Sequence, residues 1–120
     1  MANNIMDARE EYEIRMKEYR KELDENLEKI KKSAESGDNL SKLRLGEYYL
    51  LHRDYKKAMK WLQDAVENDI YAAADLLGDF YFYGWGIEKD KVKAHFWYNK
   101  AEEVKKKLLE KAHAEKNRKN

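Results

Sequence analysis

The sequence predicts an all-α protein, a short α-solenoid of antiparallel helix pairs. Three observations lead to this prediction. The 120 residues include no Pro and only five Gly, and 41% of them are charged, which is typical of long, well-solvated helices. Apolar residues recur at helical spacing along most of the chain. Two segments also repeat each other, which is typical of solenoids.

Composition and charge exclude several classes of protein. Twenty-five basic and 24 acidic residues leave a net charge of +1, so the molecule as a whole has no field that attracts nucleic acid or an anionic membrane. With no Cys there are no disulfides, no thiol catalysis and no thiolate metal sites. The chain begins without an apolar signal segment and contains no run of about 20 apolar residues. We expect a soluble, cytoplasmic protein.

One long helix is predicted at the start of the chain, from about Asn4 to Ser36, with Asn4 and Asp7 as a capping pair. Its apolar residues follow at steps of three and four: Ile5, Ala8, Tyr12, Met16, Tyr19, Leu23, Leu27, Ile30 and Ala34. Such a helix would be about 50 Å long, more than one repeat can cover. Two roles stay open: a cap that closes the solenoid, or a helix whose first half packs on a second copy, a partner or the chain's own terminal helix.

Two predicted helix pairs follow, and they resemble each other. Residues 45–49 (LGEYY) match residues 77–81 (LGDFY), and residues 57–65 (KAMKWLQDA) match residues 93–101 (KAHFWYNKA). Residues 27–34 are a fainter copy of the second half. Gly46 and Gly78 fall at the same place in the two pairs, which predicts a close approach of two helix backbones there. We expect the small Ala58 and Ala94 to form the opposing surface.

Capping residues mark the boundaries of these helices. Asp54 and Asp90 precede the second helix of each pair and can accept hydrogen bonds from its free N–H groups. Gly84 follows the first helix of the second pair, where the left-handed conformation ends a helix. We expect Asn68 and Gly37 to end the preceding helices in the same way.

The final helix has no such stop signal, and we expect it to run on past Val104 toward Ala114. The prediction is therefore one domain of about two and a half repeats over residues 1–120. Its parts are a long N-terminal helix ending in a half-repeat (4–36), two repeats (39–68 and 69–104), and an extended C-terminal capping helix with a basic tail (105–120).

The second pair resembles a known repeat. Its matching residues are Ala73, Leu77, Gly78, Tyr81, Gly84, Gly86, Ile87, Asp90, Lys93, Ala94, Trp97, Tyr98, Lys100 and Ala101. This pattern is similar to a full Sel-one-like repeat, a relative of the tetratricopeptide repeat. Residues 45–65 lack the Gly-x-Gly turn and are more similar to a tetratricopeptide repeat. The resemblance covers residues 39–101, and it implies a scaffold that binds other proteins and has no common catalytic residues.

If the pairs pack as in tetratricopeptide repeats, their first helices line an inner groove. The predicted groove residues are Leu43, Glu47, Leu50, Leu51, Asp75, Asp79, Phe82 and Tyr83. Apolar anchors beside three carboxylates suit a peptide or helix with Lys or Arg and an apolar side chain. The alternative is that the first helix already fills the groove. Trp85, between two glycines, is either a further partner contact or folded back on Tyr81 or Phe82. We assign Trp61, Trp97, Tyr49 and Tyr81 to the core.

Nothing in the sequence indicates catalysis, a metal site or a cofactor. His52, His95 and His113 lie in different elements without metal-ligand spacing, and we expect them on the surface. The tail from Lys105 to Asn120 is basic, but no aromatic residues interleave with its lysines as they do on strand-binding surfaces. We therefore interpret the tail as a solvent-exposed cap at the end of the solenoid, and not as a nucleic-acid-binding site.

We therefore expect a non-enzymatic protein–protein interaction module, an adaptor or an inhibitor. The alternatives are a homodimeric assembly protein that associates through the long first helix and a nucleic-acid-associated protein that binds through its tail.

Overall fold

The computed structural model describes residues 6–118 and folds them into six α-helices without strands. They are α1 (Ala8–Glu25), α2 (Leu27–Glu35), α3 (Asn39–Leu51), α4 (Tyr55–Glu67), α5 (Tyr71–Tyr83) and α6 (Lys91–Arg118). From α2 onward each helix packs against the next, and α1 rests lightly on α2 and α3. The all-α prediction is confirmed.

The predicted single N-terminal helix is two helices, and this prediction is wrong at two points. Asp7 is the N-cap, and its side chain accepts a hydrogen bond from the Glu10 N–H, so α1 begins at Ala8. Asn4 lies outside the described residues. Asn26 interrupts the helix with φ −107° and ψ 10°, and its side-chain amide donates to the Glu22 carbonyl at 2.8 Å. Asn side chains compete for the backbone in this way, which makes them poor in helix interiors.

The apolar stripe of the N-terminal helices is covered over only part of its length. Leu23, Ile30 and Ala34 are buried, Met16 and Tyr19 are half-buried, and Ala8 and Tyr12 are exposed. Leu23 and Ile30 pack with Leu45 of α3 in the smaller of two hydrophobic clusters. The second half of the segment therefore caps the solenoid, and the first half of α1 has its apolar stripe in solvent.

The two repeated glycines make equivalent close contacts with the neighbouring helix. A Cβ atom on Gly46 would lie 2.7 Å from Leu62, and one on Gly78 would collide with the Tyr98 ring. Leu62 and Tyr98 occupy the same position in the aligned repeats, one turn beyond Ala58 and Ala94. These two alanines are buried, and the Ala58 carbonyl oxygen would lie 3.5 Å from the same Cβ atom on Gly46. The nearest atoms, however, belong to the larger side chains of Leu62 and Tyr98. Helix pairs α3–α4 and α5–α6 therefore share one packing geometry.

Most of the predicted helix boundaries are confirmed. The Asp54 and Asp90 carboxylates accept hydrogen bonds from the N–H groups three residues on. Gly84 is left-handed, with φ 73°, and ends α5. Asn68 ends α4 as predicted, but the left-handed conformation expected there falls on the next residue, Asp69 (φ 65°). The Asn68 side-chain amide donates to the Asp64 carbonyl.

The larger hydrophobic cluster joins α3, α4, α5 and α6 around fully buried Phe80, Leu62 and Leu77. The four aromatic residues that the sequence assigned to the core, Tyr49, Trp61, Tyr81 and Trp97, are only half-buried. Trp97 packs against the larger cluster and Trp61 against the smaller one. Tyr49 packs against both clusters and so connects them.

Helix α6 continues well beyond its partner α5, as predicted. Its 28 residues span about 42 Å. Lys107 contacts Asp69 at 3.2 Å, and every residue from 106 to 118 is exposed. The molecule is correspondingly elongated, with principal extents of 59 × 38 × 35 Å and a radius of gyration of 17.2 Å.

Candidate partner-binding groove

A groove with a cavity of about 400 Å³ lies between α1, α3 and α5. We call it the inner groove. Its lining residues are Tyr12, Met16, Glu47, Leu50, Leu51, Arg53, Tyr55, Leu76, Asp79 and Trp85. The first helices of the two pairs, α3 and α5, supply half of these residues.

Five of the nine predicted binding residues line this groove. They are Glu47, Leu50, Leu51, Asp79 and Trp85. The structure brings them together because the last turns of α3, part of α5 and the turn after α5 line the same cavity.

The other four predicted residues lie elsewhere. Leu43 is buried in the larger hydrophobic cluster. Asp75 lies beside α6, with its carboxylate 3.9 Å from the Lys105 ammonium. Phe82 and Tyr83 are exposed beyond the end of the groove, where the Tyr83 ring stacks on Trp85 at 5.4 Å. Trp85 also packs edge-on against buried Phe80, so it is folded back without being buried.

Helix α1 forms one wall of the inner groove and does not fill it. Tyr12 and Met16 line the cavity, and Tyr12 is 64% exposed. The sequence pattern placed both residues on the packing stripe of the first helix, but it could not tell where that stripe leaves the core. The sequence did not predict that Arg53 and Tyr55, at the turn into α4, line the groove. The direction of their side chains depends on the left-handed φ of 60° at Arg53.

Two carboxylates give the groove its acidic character. Burial raises the pKa of Glu47, and the neighbouring Tyr19 hydroxyl partly offsets this rise by hydrogen bonding to the carboxylate. Burial and the Glu47 charge together raise the pKa of Tyr19 to about 12. Asp79 accepts a hydrogen bond from the Tyr98 hydroxyl at 2.5 Å, and burial followed by this bond raises the pKa of Tyr98. Arg53 adds one positive charge at the groove edge.

His52 ties α1 to α3. Its Nε2 lies 3.0 Å from an Asp24 carboxylate oxygen, its Nδ1 lies 2.8 Å from the Tyr48 carbonyl, and its ring stacks on Tyr48 at 4.1 Å. The sequence gave no sign of this pair, because Asp24 and His52 belong to separate helices. His95 and His113 are exposed.

Within residues 6–118 no three His, Asp or Glu side chains converge as metal ligands would. None of the helices in the same range combines the length and apolar character needed to cross a membrane.

Comparisons of the chain with protein-family models, with curated proteins and with solved structures gave no match.

Proposed function

We propose that this chain is a non-enzymatic protein–protein interaction module, an adaptor or an inhibitor, that binds a partner protein through the inner groove. The observation that carries the proposal is the 400 Å³ cavity, in which apolar side chains from three helices surround two carboxylates. A cavity of this size holds a few side chains of a peptide or helix.

The chemistry of the groove specifies its occupant. Leu50, Leu51 and Leu76 provide an apolar floor, and Glu47 and Asp79 provide negative charge. The best fit is a segment with an apolar anchor and a neighbouring Lys or Arg. Aromatic side chains at the rim supply the flat contact area that binding hot spots favour.

The proposal extends to the type of repeat and to location. We propose that α3–α4 and α5–α6 are repeats of the tetratricopeptide and Sel-one-like kind, in support of which Gly46 and Gly78 contact equivalent residues of their partner helices. We also propose a cytoplasmic location, with which a chain free of cysteine agrees.

Affinity capture with matched variants tests the proposal. The groove variant Tyr12→Ala/Met16→Ala removes the α1 wall without touching a fully buried residue. Ile14→Ala is the control, since it shortens an exposed apolar side chain on α1 outside the groove. Baits are exposed to an extract of the native host, and captured proteins are identified by mass spectrometry.

We expect a partner that binds the wild type and the Ile14 variant and is lost by the groove variant. With the purified partner, calorimetry should give a Kd at least about fivefold weaker for the groove variant than for the wild type. This corresponds to a loss of about 1 kcal/mol in binding free energy, the size that defines a hot-spot residue. Equal capture by all three baits would refute the inner groove as the binding site.

A further inference from the structure

A second groove, which the proposed function does not use, lies between α4 and the segment that runs from Trp85 into α6. We call it the outer groove. It consists of two cavities, of about 350 and 330 Å³, which join at Gln63. Tyr55 and Trp85 line both the first of these cavities and the inner groove, so their side chains separate the two grooves.

The floor of the outer groove is apolar in two places. Met59 and Ile87 line the first cavity, and Val66, Phe96 and Trp97 line the second. Phe96 is 61% exposed although it is a large aromatic residue.

The spacing of the two cavities matches the repeat of an α-helix. Met59 and Val66 lie seven residues apart on α4, a distance of about 10 Å along the helix axis. Two side chains at positions i and i+7 of a docking helix are separated by the same distance and project from the same face. Each could therefore enter one cavity.

The charge of the groove selects an acidic occupant. Lys56 and Lys60 are the charged residues that line the first cavity, and Lys100 lines the second. None of these three makes an ion pair within residues 6–118. Two carboxylates, Glu67 and Asp69, line the far end, and Asp69 is already paired with Lys107 at 3.2 Å.

The packing of a helix pair does not require Lys56 and Lys60. In the aligned second repeat, Val92 and Phe96 occupy the positions of Lys56 and Lys60. Equivalent positions of the two helix pairs thus carry basic residues in one pair and apolar residues in the other.

We propose that the outer groove docks an acidic amphipathic helix of a partner protein, with apolar side chains at positions i and i+7 and carboxylates that face Lys56, Lys60 and Lys100. A chain with two grooves of different charge can hold two partners at once, which favours an adaptor over an inhibitor.

Fluorescence anisotropy with labelled model peptides tests this proposal independently of the inner groove. The probe is an alanine-based helical peptide with two leucines seven positions apart and glutamates on both flanks. A second peptide replaces the glutamates with lysines, and a third replaces the leucines with alanines. We expect the full-length protein to bind the first peptide and to bind each of the others at least about tenfold more weakly.

Variants of the protein then locate the site. Lys56→Glu/Lys60→Glu should weaken binding of the acidic peptide at least about tenfold, and Phe96→Ala should weaken it roughly fivefold. Lys106→Glu/Lys111→Glu is the matched control, because it makes the same change of net charge on the exposed part of α6. It should leave the affinity within about twofold.

Three results would overturn the proposal. Equal losses from the two double variants would mean that the peptide is attracted nonspecifically to exposed lysines. Equal binding of the lysine peptide would remove the charge argument. Self-association of the chain in sedimentation, abolished by Lys56→Glu/Lys60→Glu, would make a second copy the occupant. Each of these outcomes leaves the capture experiment on the inner groove unaffected, so the two proposals fail separately.

Discussion

At two equivalent positions of the repeats, a glycine lies beneath a bulky side chain of the neighbouring helix. Gly46 contacts Leu62, and Gly78 contacts the Tyr98 ring, which its hydrogen bond to Asp79 holds in place. A glycine inside a helix costs about 1 kcal/mol relative to alanine. The close packing that it permits must stabilise the protein by more than this amount.

Replacement of Gly78 by alanine tests whether the close packing stabilises the protein by more than the helix-propensity cost of glycine. Helix propensity alone would make Gly78→Ala stabilising by about 1 kcal/mol. Because the added methyl group collides with the Tyr98 ring, we expect the variant to be less stable by roughly 1–3 kcal/mol. Urea denaturation measures the difference. In a Tyr98→Ala background the same change should be neutral or stabilising, and an equal cost in both backgrounds would contradict the explanation.

The docking of α1 illustrates what the sequence predicts about an element and what it misses. The spacing of apolar residues correctly identified the buried stripe from Leu23 to Ala34. It missed the interruption at Asn26, because periodicity continues across a break that depends on one amide-to-carbonyl hydrogen bond. It also missed the contact of Asp24 with His52, because a pair across two helices leaves no regular spacing in the chain.

The burial of Tyr19, together with its contact with Glu47, gives α1 docking a pH dependence. Unfolded tyrosine has a pKa of about 10, and the pKa of folded Tyr19 is about 12. The folded state therefore holds the phenolic proton more tightly. This contribution to stability is complete below the unfolded pKa and is lost as the pH rises toward the folded pKa.

We accordingly expect the free energy of unfolding to fall between about pH 10 and pH 12 in the wild type, and to fall less in Tyr19→Phe. Urea denaturation at several pH values provides the measurement. Tyr12→Phe, at an exposed position of the same helix, is the control and should behave as the wild type. Parallel curves for the wild type and Tyr19→Phe would show that the phenol does not couple to folding.

For the whole molecule, sequence repetition predicted the order and pairing of the helices better than it predicted the surface. The sequence repeat predicts that residues 45–49 and 77–81 have the same environment, and the equivalent contacts of Gly46 and Gly78 agree with this prediction. The repeat does not predict the distance between α3 and α5. For this reason Leu43 was placed in the groove although it is buried, and the contributions of Tyr12 and Arg53 were not foreseen.

The elongated shape is itself testable, because it depends on α6 remaining a straight helix beyond Lys107. A compact domain of this length has a radius of gyration of about 14 Å, whereas the Cα atoms here give 17.2 Å. Small-angle X-ray scattering of the monomer should give a value near 17 Å. Removal of residues 110–120 should lower it, because residues 110–118 are the exposed end of α6, beyond the last contact with the solenoid at Lys107.

Lys106→Glu/Lys111→Glu is a suitable control, since it changes charge and leaves the length of α6 unchanged. It should scatter as the wild type does. A radius near the compact value for the wild type, unaffected by the truncation, would mean that the end of α6 folds back onto the solenoid. The end of α6 would then cover surface of the solenoid that is exposed here.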